Sequence, residues 1–307
     1  MAIVALGSLR APAEEAVLLR YKMQPGESRV YRSSTELKQT QNLMGMALEN
    51  VISGSDVTVQ TLDKVDDDGN FHVQSENRRI QATMNIGPLG EYKFDSRSSE
   101  KDRSSLAGAA LTPIYEALTG AVIQVTHTPR GEVTEVKGLK ELIGDNLLKD
   151  NPFAAQAAAG ATDEGAKITY GDRFVDLPEG PVKPGDTWEQ PYEITLPGLG
   201  TAKGKSAYKF EGHDRVGDRA TVKISVRDEM SFEVDLVQLG AKVTGSLSIT
   251  SSSGTIQFDP EAGALVSKKS TQSLSGNLNV NANGQNIPIQ QDQTQTTTVE
   301  LLDKVPE

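Results

Sequence analysis

The amino-acid sequence predicts a mainly β protein. The expected architecture is two antiparallel, curved-sheet lobes of half-barrel or sandwich type, with one or two short helices inserted in the first lobe. Three observations carry this. Apolar and polar residues alternate over long stretches, the pattern of strands with one solvated face. Turn residues (Gly, Pro, Asp and Asn) separate those stretches. Only two segments adopt the three- and four-residue apolar spacing of a helix.

The alternation is clearest in the second half. Ala220, Val222, Ile224 and Val226 alternate with Thr, Lys, Ser and Arg, and Phe232, Val234 and Leu236 with Glu and Asp. Leu247 with Ile249, Ile256 with Phe258, Leu278 with Val280, Ile287 with Ile289, and Val299 with Leu301 continue it. Residues 268–298 are rich in Ser, Thr, Asn and Gln and read as long polar hairpin strands turning at Asn283-Gly284. The first half is weaker. It offers Val30–Thr40, then Val51–Val65 with Val57, Val59 and Leu62 as inward candidates. Asp66-Asp67-Asp68-Gly69 is a turn, followed by Phe71 with Val73 and by Tyr92 with Phe94. Val122, Ile123 and Val125 lead into the chain reversal Thr128-Pro129-Arg130-Gly131, and Val133 and Val136 follow.

The helical spacing falls on Ser98–Leu118, through Leu106, Leu111, Ile114, Tyr115 and Leu118 with an interruption near Pro113, and on Leu139–Leu148. Pro152-Phe153 opens an Ala-rich stretch to Ala161, read as a weak helix or linker. It sets the expected boundaries: residues 1–16 a leader remnant or disordered N-terminus, 17–161 the first lobe, 162–307 the second. The halves echo each other. Gln24-Pro25-Gly26-Glu27 matches Lys183-Pro184-Gly185-Asp186, Lys64-Val65-Asp66-Asp67 matches Arg215-Val216-Gly217-Asp218, and Gly90–Asp95 matches Gly254–Asp259, which suggests an internal duplication.

Bulk properties exclude several function classes. A net charge of −11 argues against binding a nucleic-acid backbone. With no cysteine, thiol catalysis, disulfides and thiolate metal sites are absent. No apolar run approaches the ~18 residues of a membrane helix. Ala2–Leu9 followed by Ala11-Pro12-Ala13 has the form of the back half of a secretory signal, although a basic n-region is missing and Arg10 interrupts it. The expected location is therefore extracytoplasmic, periplasmic or secreted.

Motifs for chemistry are scarce. Pro197–Ser206 misses phosphate-loop spacing, because Leu199 stands where glycine is needed. The consecutive acids Asp66–Asp68 fit a hairpin turn rather than a calcium loop. His72, His127 and His213 are scattered; His72 is expected at the surface or half-buried, and His127, beside a Pro-Gly turn, in solvent. No Gly-x-Ser-x-Gly elbow is present. No catalytic, cofactor or metal residue is assigned.

One feature stands apart. Four expected hairpin tips are apolar: Leu43-Met44-Gly45-Met46, Ile86–Gly90, Leu196–Leu199 and Leu236–Leu239. Either they fold back on the core or they meet a lipid, an apolar ligand or a partner. The candidate contact residues are Leu43, Met44, Met46, Leu89, Leu199 and Leu239, together with Leu106, Ile114 and Leu118 of a helix expected to cover the concave sheet.

Tyr21-Lys22-Met23-Gln24-Pro25-Gly26, Thr128–Gly138 and Pro181–Trp188 together resemble an uncharacterised family of secreted bacterial proteins common in planctomycete-type genomes, over about residues 17–305. The resemblance implies export and a two-part β architecture, and no activity. It further implies a loose likeness to the curved sheet and helical plug of periplasmic lipoprotein carriers, an analogy of fold alone. The expected function is non-enzymatic binding or carriage of an apolar small molecule or lipid. The alternatives are an envelope structural or protein-interaction module, with an envelope protein as partner, and an enzyme of unrecognised type.

Overall fold

A computed structural model describes residues 15–43, 45–86, 90–148, 158–171, 173–196, 200–238, 241–282 and 284–307. The leader-like run, the tip residues Met44, Leu89, Leu199 and Leu239, and most of the Ala-rich stretch lie outside these.

The strands are β1 (Ser28–Leu43), β2 (Met46–Val65), β3 (Phe71–Ile86), β4 (Glu91–Asp95), β5 (Val122–His127), β6 (Val133–Lys137), β7 (Thr187–Leu196), β8 (Gly200–Val216), β9 (Arg219–Gln238), β10 (Ala241–Asp259), β11 (Ala264–Ala282) and β12 (Gln285–Leu302). The helices named here are α1 (Leu106–Leu118), α2 (Leu139–Leu148) and α3 (Asp163–Gly171). The protein is mainly β, as expected. The strands form one open sheet in the order β6-β5-β3-β2-β1-β12-β11-β10-β9-β8-β7, with β4 beside β3. The two halves share this sheet, because β12 returns to pair with β1 from Val30↔Leu302 to Leu43↔Ile289.

The sheet must curl, and the backbone shows where. The β5–β6 turn and the β10–β11 turn belong to strands five ladders apart, roughly 24 Å on a flat sheet. Yet the Tyr21 N–H donates to Pro129 O at 2.8 Å and the N–H of the next residue, Lys22, to Gly263 O at 3.1 Å. Consecutive residues span only about 3.8 Å, so this short segment holds the two turns together. Both turns carry glycine where it arrives. A Cβ on Gly131 (φ +94) would stand 2.3 Å from Val175 O, and one on Gly263 (φ +59) 2.4 Å from Lys22 N.

The core fills the curl. Leu19, Tyr21, Ile123, Phe174, Leu177, Phe210, Ile224 and Phe258 belong to one contiguous buried cluster drawn from both halves. Tyr21 meets His127, Phe174 and Phe258 edge-on, with ring centroids 5.3–5.6 Å apart.

The first echo is one of geometry. In both turns the glycine N–H donates to a strand carbonyl (Gly26 to Leu62 O, 2.8 Å; Gly185 to Phe210 O, 2.7 Å). In both, the carboxylate three residues on accepts from the first N–H (Gln24 to Glu27, 3.0 Å; Lys183 to Asp186, 2.8 Å).

Two expectations need correction. On β2, Val57 and Leu62 are buried as expected, but Val59 is only half-buried and Thr58 and Gln60 are buried instead. His127 is buried, stacked on Phe71 with ring centroids 5.1 Å apart, because the curl closes over the β5–β6 turn.

If the Tyr21–Lys22 segment holds the curl, Tyr21→Ala should cost about 3–5 kcal/mol. Gly263→Val should cost about 1–3 kcal/mol through strain at positive φ. Urea unfolding midpoints test both.

Candidate functional site

Helix α1 packs on β4 and α3 on β6 and β7, and residues of all three helices line, with β1–β3, a cavity of ≈ 390 Å³. Local sequence explains the roof. Ser105 caps α1 by accepting from Gly108 N–H at 2.9 Å. The far end of α1 is pinned to β3, where Asn77 Nδ2 donates to Leu118 O at 3.3 Å and Gly120 N–H to Asn77 O at 2.8 Å. The Tyr92 and Thr112 hydroxyls, 2.9 Å apart, tie α1 to β4.

The lining is divided. Ile52, Ile80, Ala82 and Met84 from the sheet face Ile114, Tyr115 and Leu118 of α1 and Leu139 and Ile143 of α2. The polar end is built from Ser33, Asp56, Asn77, Tyr170 and Arg173. Arg173 Nη2 pairs with Asp56 Oδ2 at 3.0 Å, with the Arg173 side chain 11 % exposed. Arg173 also lies over the Tyr170 ring, 5.1 Å from its centroid. The Thr58 hydroxyl stands 2.7 Å from Asp56 Oδ2 and 3.1 Å from Asn77 Oδ1. Ser33 lies directly across the β1–β2 ladder from Asp56. Among the described residues, two buried side-chain polar atoms have no hydrogen-bond partner, Ser33 Oγ and Arg173 Nη1, and both residues line this cavity. Burial pushes the Tyr115 phenol up to about 12, so it stays protonated.

Of the residues singled out from sequence, Ile114 and Leu118 line the cavity. Leu106 opens α1 and is exposed. Leu43 and Met46 lie elsewhere, at the β1–β2 hairpin end. There Met46, Leu43, Ile289 and Leu278 are successive cross-strand partners, and Val234 shares the face through Gly245. Val234 and Leu278 are buried among Phe232, Leu236, Val243 and Ile289. Sequence reasoning missed Ser33, Asp56, Tyr170 and Arg173. No motif marks them, and 117 positions separate Arg173 from Asp56.

Residues Gly200–Ser206 belong to β8. Asp66 closes its own turn, accepting from Asp68 N–H at 3.1 Å and Asn70 N–H at 2.8 Å. His72 Nε2 lies 2.9 Å from Asp66 Oδ2, half-buried. Among the described residues no group of three or more His, Asp or Glu side chains could hold a metal ion. No described helix is long and apolar enough to cross a membrane. A larger groove of ≈ 800 Å³ runs along β7 past Arg130, Glu179 and Trp188, but its lining is mainly polar.

These features define an open antiparallel sheet with helices seated over one part of its inner face. The chain belongs to a family of unknown function, DUF6263, whose model matches residues 68–265. No curated protein matches it. Among solved structures it is similar to lipovitellin, at 11 % identity and a TM-score of 0.48, covering 93 % of this chain and 26 % of that one, so it spans about a quarter of lipovitellin. It is also similar to the β domain of the Bordetella autotransporter BrkA, at 10 % identity and a TM-score of 0.22, covering 90 % of this chain and 100 % of that one. Pseudomonas aeruginosa OccK2 matches at 6 % identity and a TM-score of 0.23, covering 91 % and 100 % respectively.

His127 gives a pH signature. Burial lowers its pKa from 6.5 to about 4, and the ring stays neutral with Nδ1 2.9 Å from Thr128 O. The unfolded chain therefore binds a proton that the folded one excludes. Stability is full above pH ~6.5 and falls by about 3 kcal/mol as pH drops toward 4. His127→Phe should flatten that part of the profile, measured by urea unfolding across the range.

Proposed function

We propose that this is a non-enzymatic binding or carrier protein that acts outside the cytoplasm. It holds a small apolar or amphipathic molecule, such as a single-chain lipid, between the helices and β1–β3. The observation that carries this reading is the cavity of ≈ 390 Å³, whose lining is mainly apolar and includes the buried Arg173–Asp56 pair. Its volume falls within the roughly 300–1,000 Å³ range of ligand sites. Apolar burial at ~25 cal/mol per Å² would supply the affinity, and the polar end would fix the orientation. The extracytoplasmic placement is supported by the leader-like pattern of residues 2–13.

A second reading, an envelope interaction module, is favoured by a different observation. The apolar row Met46–Leu43–Ile289–Leu278 lies near the hairpin ends, with Met46 62 % exposed. In that case an envelope protein would cover the row and the helix-covered cavity would stay empty.

The two readings separate in a titration with a fluorescent naphthylamine probe. The carrier reading expects saturable binding that Ile114→Trp, which fills the cavity, weakens by about tenfold or more with an unchanged unfolding midpoint. It expects Leu43→Ser with Met46→Ser to leave binding unaltered. Absence of saturable binding, or loss only in the hairpin variant, refutes it.

A further inference from the structure

We propose that the cavity selects an uncharged amphiphile, a molecule with one apolar chain and a hydroxyl or carbonyl head, and discriminates against the carboxylate of the same chain length. This rests on the reading of the cavity as a ligand site and adds the chemistry of the head group.

The argument starts from what the polar end lacks. The Asn77 amide nitrogen donates to Leu118 O, and its oxygen competes with Asp56 for the single Thr58 hydroxyl proton. The Thr58 hydroxyl lies between Asp56 and Asn77. Arg173 uses Nη2 on Asp56. What remains is Arg173 Nη1, a donor, and Ser33 Oγ, which can donate or accept; both are buried without a partner. They belong to one corner, since Ser33 faces Asp56 across the ladder and Asp56 carries the ion pair. A buried donor on a charged group is costly to leave unsatisfied. Both atoms are closed to solvent, so bulk water does not relieve that cost. An oxygen entering this corner of the cavity would, once the side chains shift to admit it: it would accept from Arg173 Nη1 and pair with Ser33 Oγ.

Charge decides which oxygen fits. The guanidinium is already balanced by Asp56 at 3.0 Å, with both side chains largely buried. A neutral head leaves this corner at zero net charge. A carboxylate adds a second anion beside Asp56 and leaves an uncompensated buried charge, which low-dielectric surroundings penalise heavily. The apolar wall then takes the chain. It runs from Ile80 past Ala82 to Met84, which alternate onto one face of β3, under Ile114 and Leu118.

Calorimetry with decanol and decanoate at neutral pH tests the inference, because the two share a chain and differ in head charge. Decanol should bind about tenfold tighter or more. Ser33→Ala should weaken decanol about three- to tenfold while leaving the unfolding midpoint unchanged or higher, since its hydroxyl has no partner to lose. Asp56→Asn, which frees the guanidinium charge, should reverse the preference toward decanoate. If Asp56→Asn does not fold, the wild-type ratio and Ser33→Ala still decide. Equal affinities, or tighter decanoate binding by the wild type, overturn this inference and leave the cavity reading standing. Binding of neither ligand removes the cavity reading and this inference with it.

Discussion

The curl depends on two backbone hydrogen bonds made by neighbouring residues. Tyr21 and Lys22 reach opposite ways, one to the β5–β6 turn and one to the β10–β11 turn. An open sheet this wide twists but has no intrinsic reason to bring those turns together. The segment supplies the reason through more than the two bonds. Leu19 and Tyr21 are buried, and Val17 pairs with Val182 in an isolated antiparallel bridge. Arg29, rooted in β1, is held against the same turn, donating to Gly263 O at 2.9 Å. A buried cation is tolerated there because backbone carbonyls and Glu27 satisfy it.

The same segment sets the cavity. The Tyr21 hydroxyl accepts from Val175 N–H at 2.9 Å, and Leu177 N–H donates to Arg130 O at 2.9 Å. Those bonds fix the run that follows α3, and Arg173 lies two residues from the first of them. The Arg173–Asp56 pair is thus an outcome of how the curl is stitched, which is how residues so far apart in sequence meet. Loosening Tyr21 would therefore disturb the polar end before it disturbed the apolar wall, which is anchored separately through Asn77 and Tyr92.

Much of the architecture was legible because period-two alternation reports local physics. Val222, Ile224 and Val226 alternate with charged or hydroxyl residues and occupy the core face of β9 as read. The Thr128–Gly131 reversal and the helical spacing of Ile114 and Leu118 were equally local. Three things were not legible. The β1–β12 pairing joins strands of Ser, Thr and Gln, whose side chains announce no buried face. The Tyr21–Lys22 segment is too short for any periodicity. On β2 and β3 the apolar residues Val57, Leu62, Phe71 and Val73 are buried as read, but Thr58, Gln60, Ser75 and Asn77 are buried too, so alternation there showed only part of the covered face. The polar end of the site comes from these same strands, and for the same reason: a face that carries a polar corner cannot show an apolar stripe.

That buried polar belt also separates the inner face into zones. At the turn end lies the aromatic core around Tyr21 and Phe258. Further along β9–β11, Asp228 gathers Ser206, Ser252 and Gln272, at 2.6–3.1 Å. Beyond it lies the apolar row of Val234, Leu247 and Leu278. On the β1–β3 side the corresponding middle ground is Ser33, Asp56 and Asn77, with one difference that matters. Asp228 is satisfied by three neutral side chains, whereas Asp56 is matched by a buried arginine that retains a spare donor. Helices cover the second corner. The first cluster is satisfied by its neighbours; the second is charge-balanced but short of a hydrogen-bond partner. Of the two acidic corners, the one with unpartnered polar atoms thus lies on the helix-covered side, at the candidate cavity.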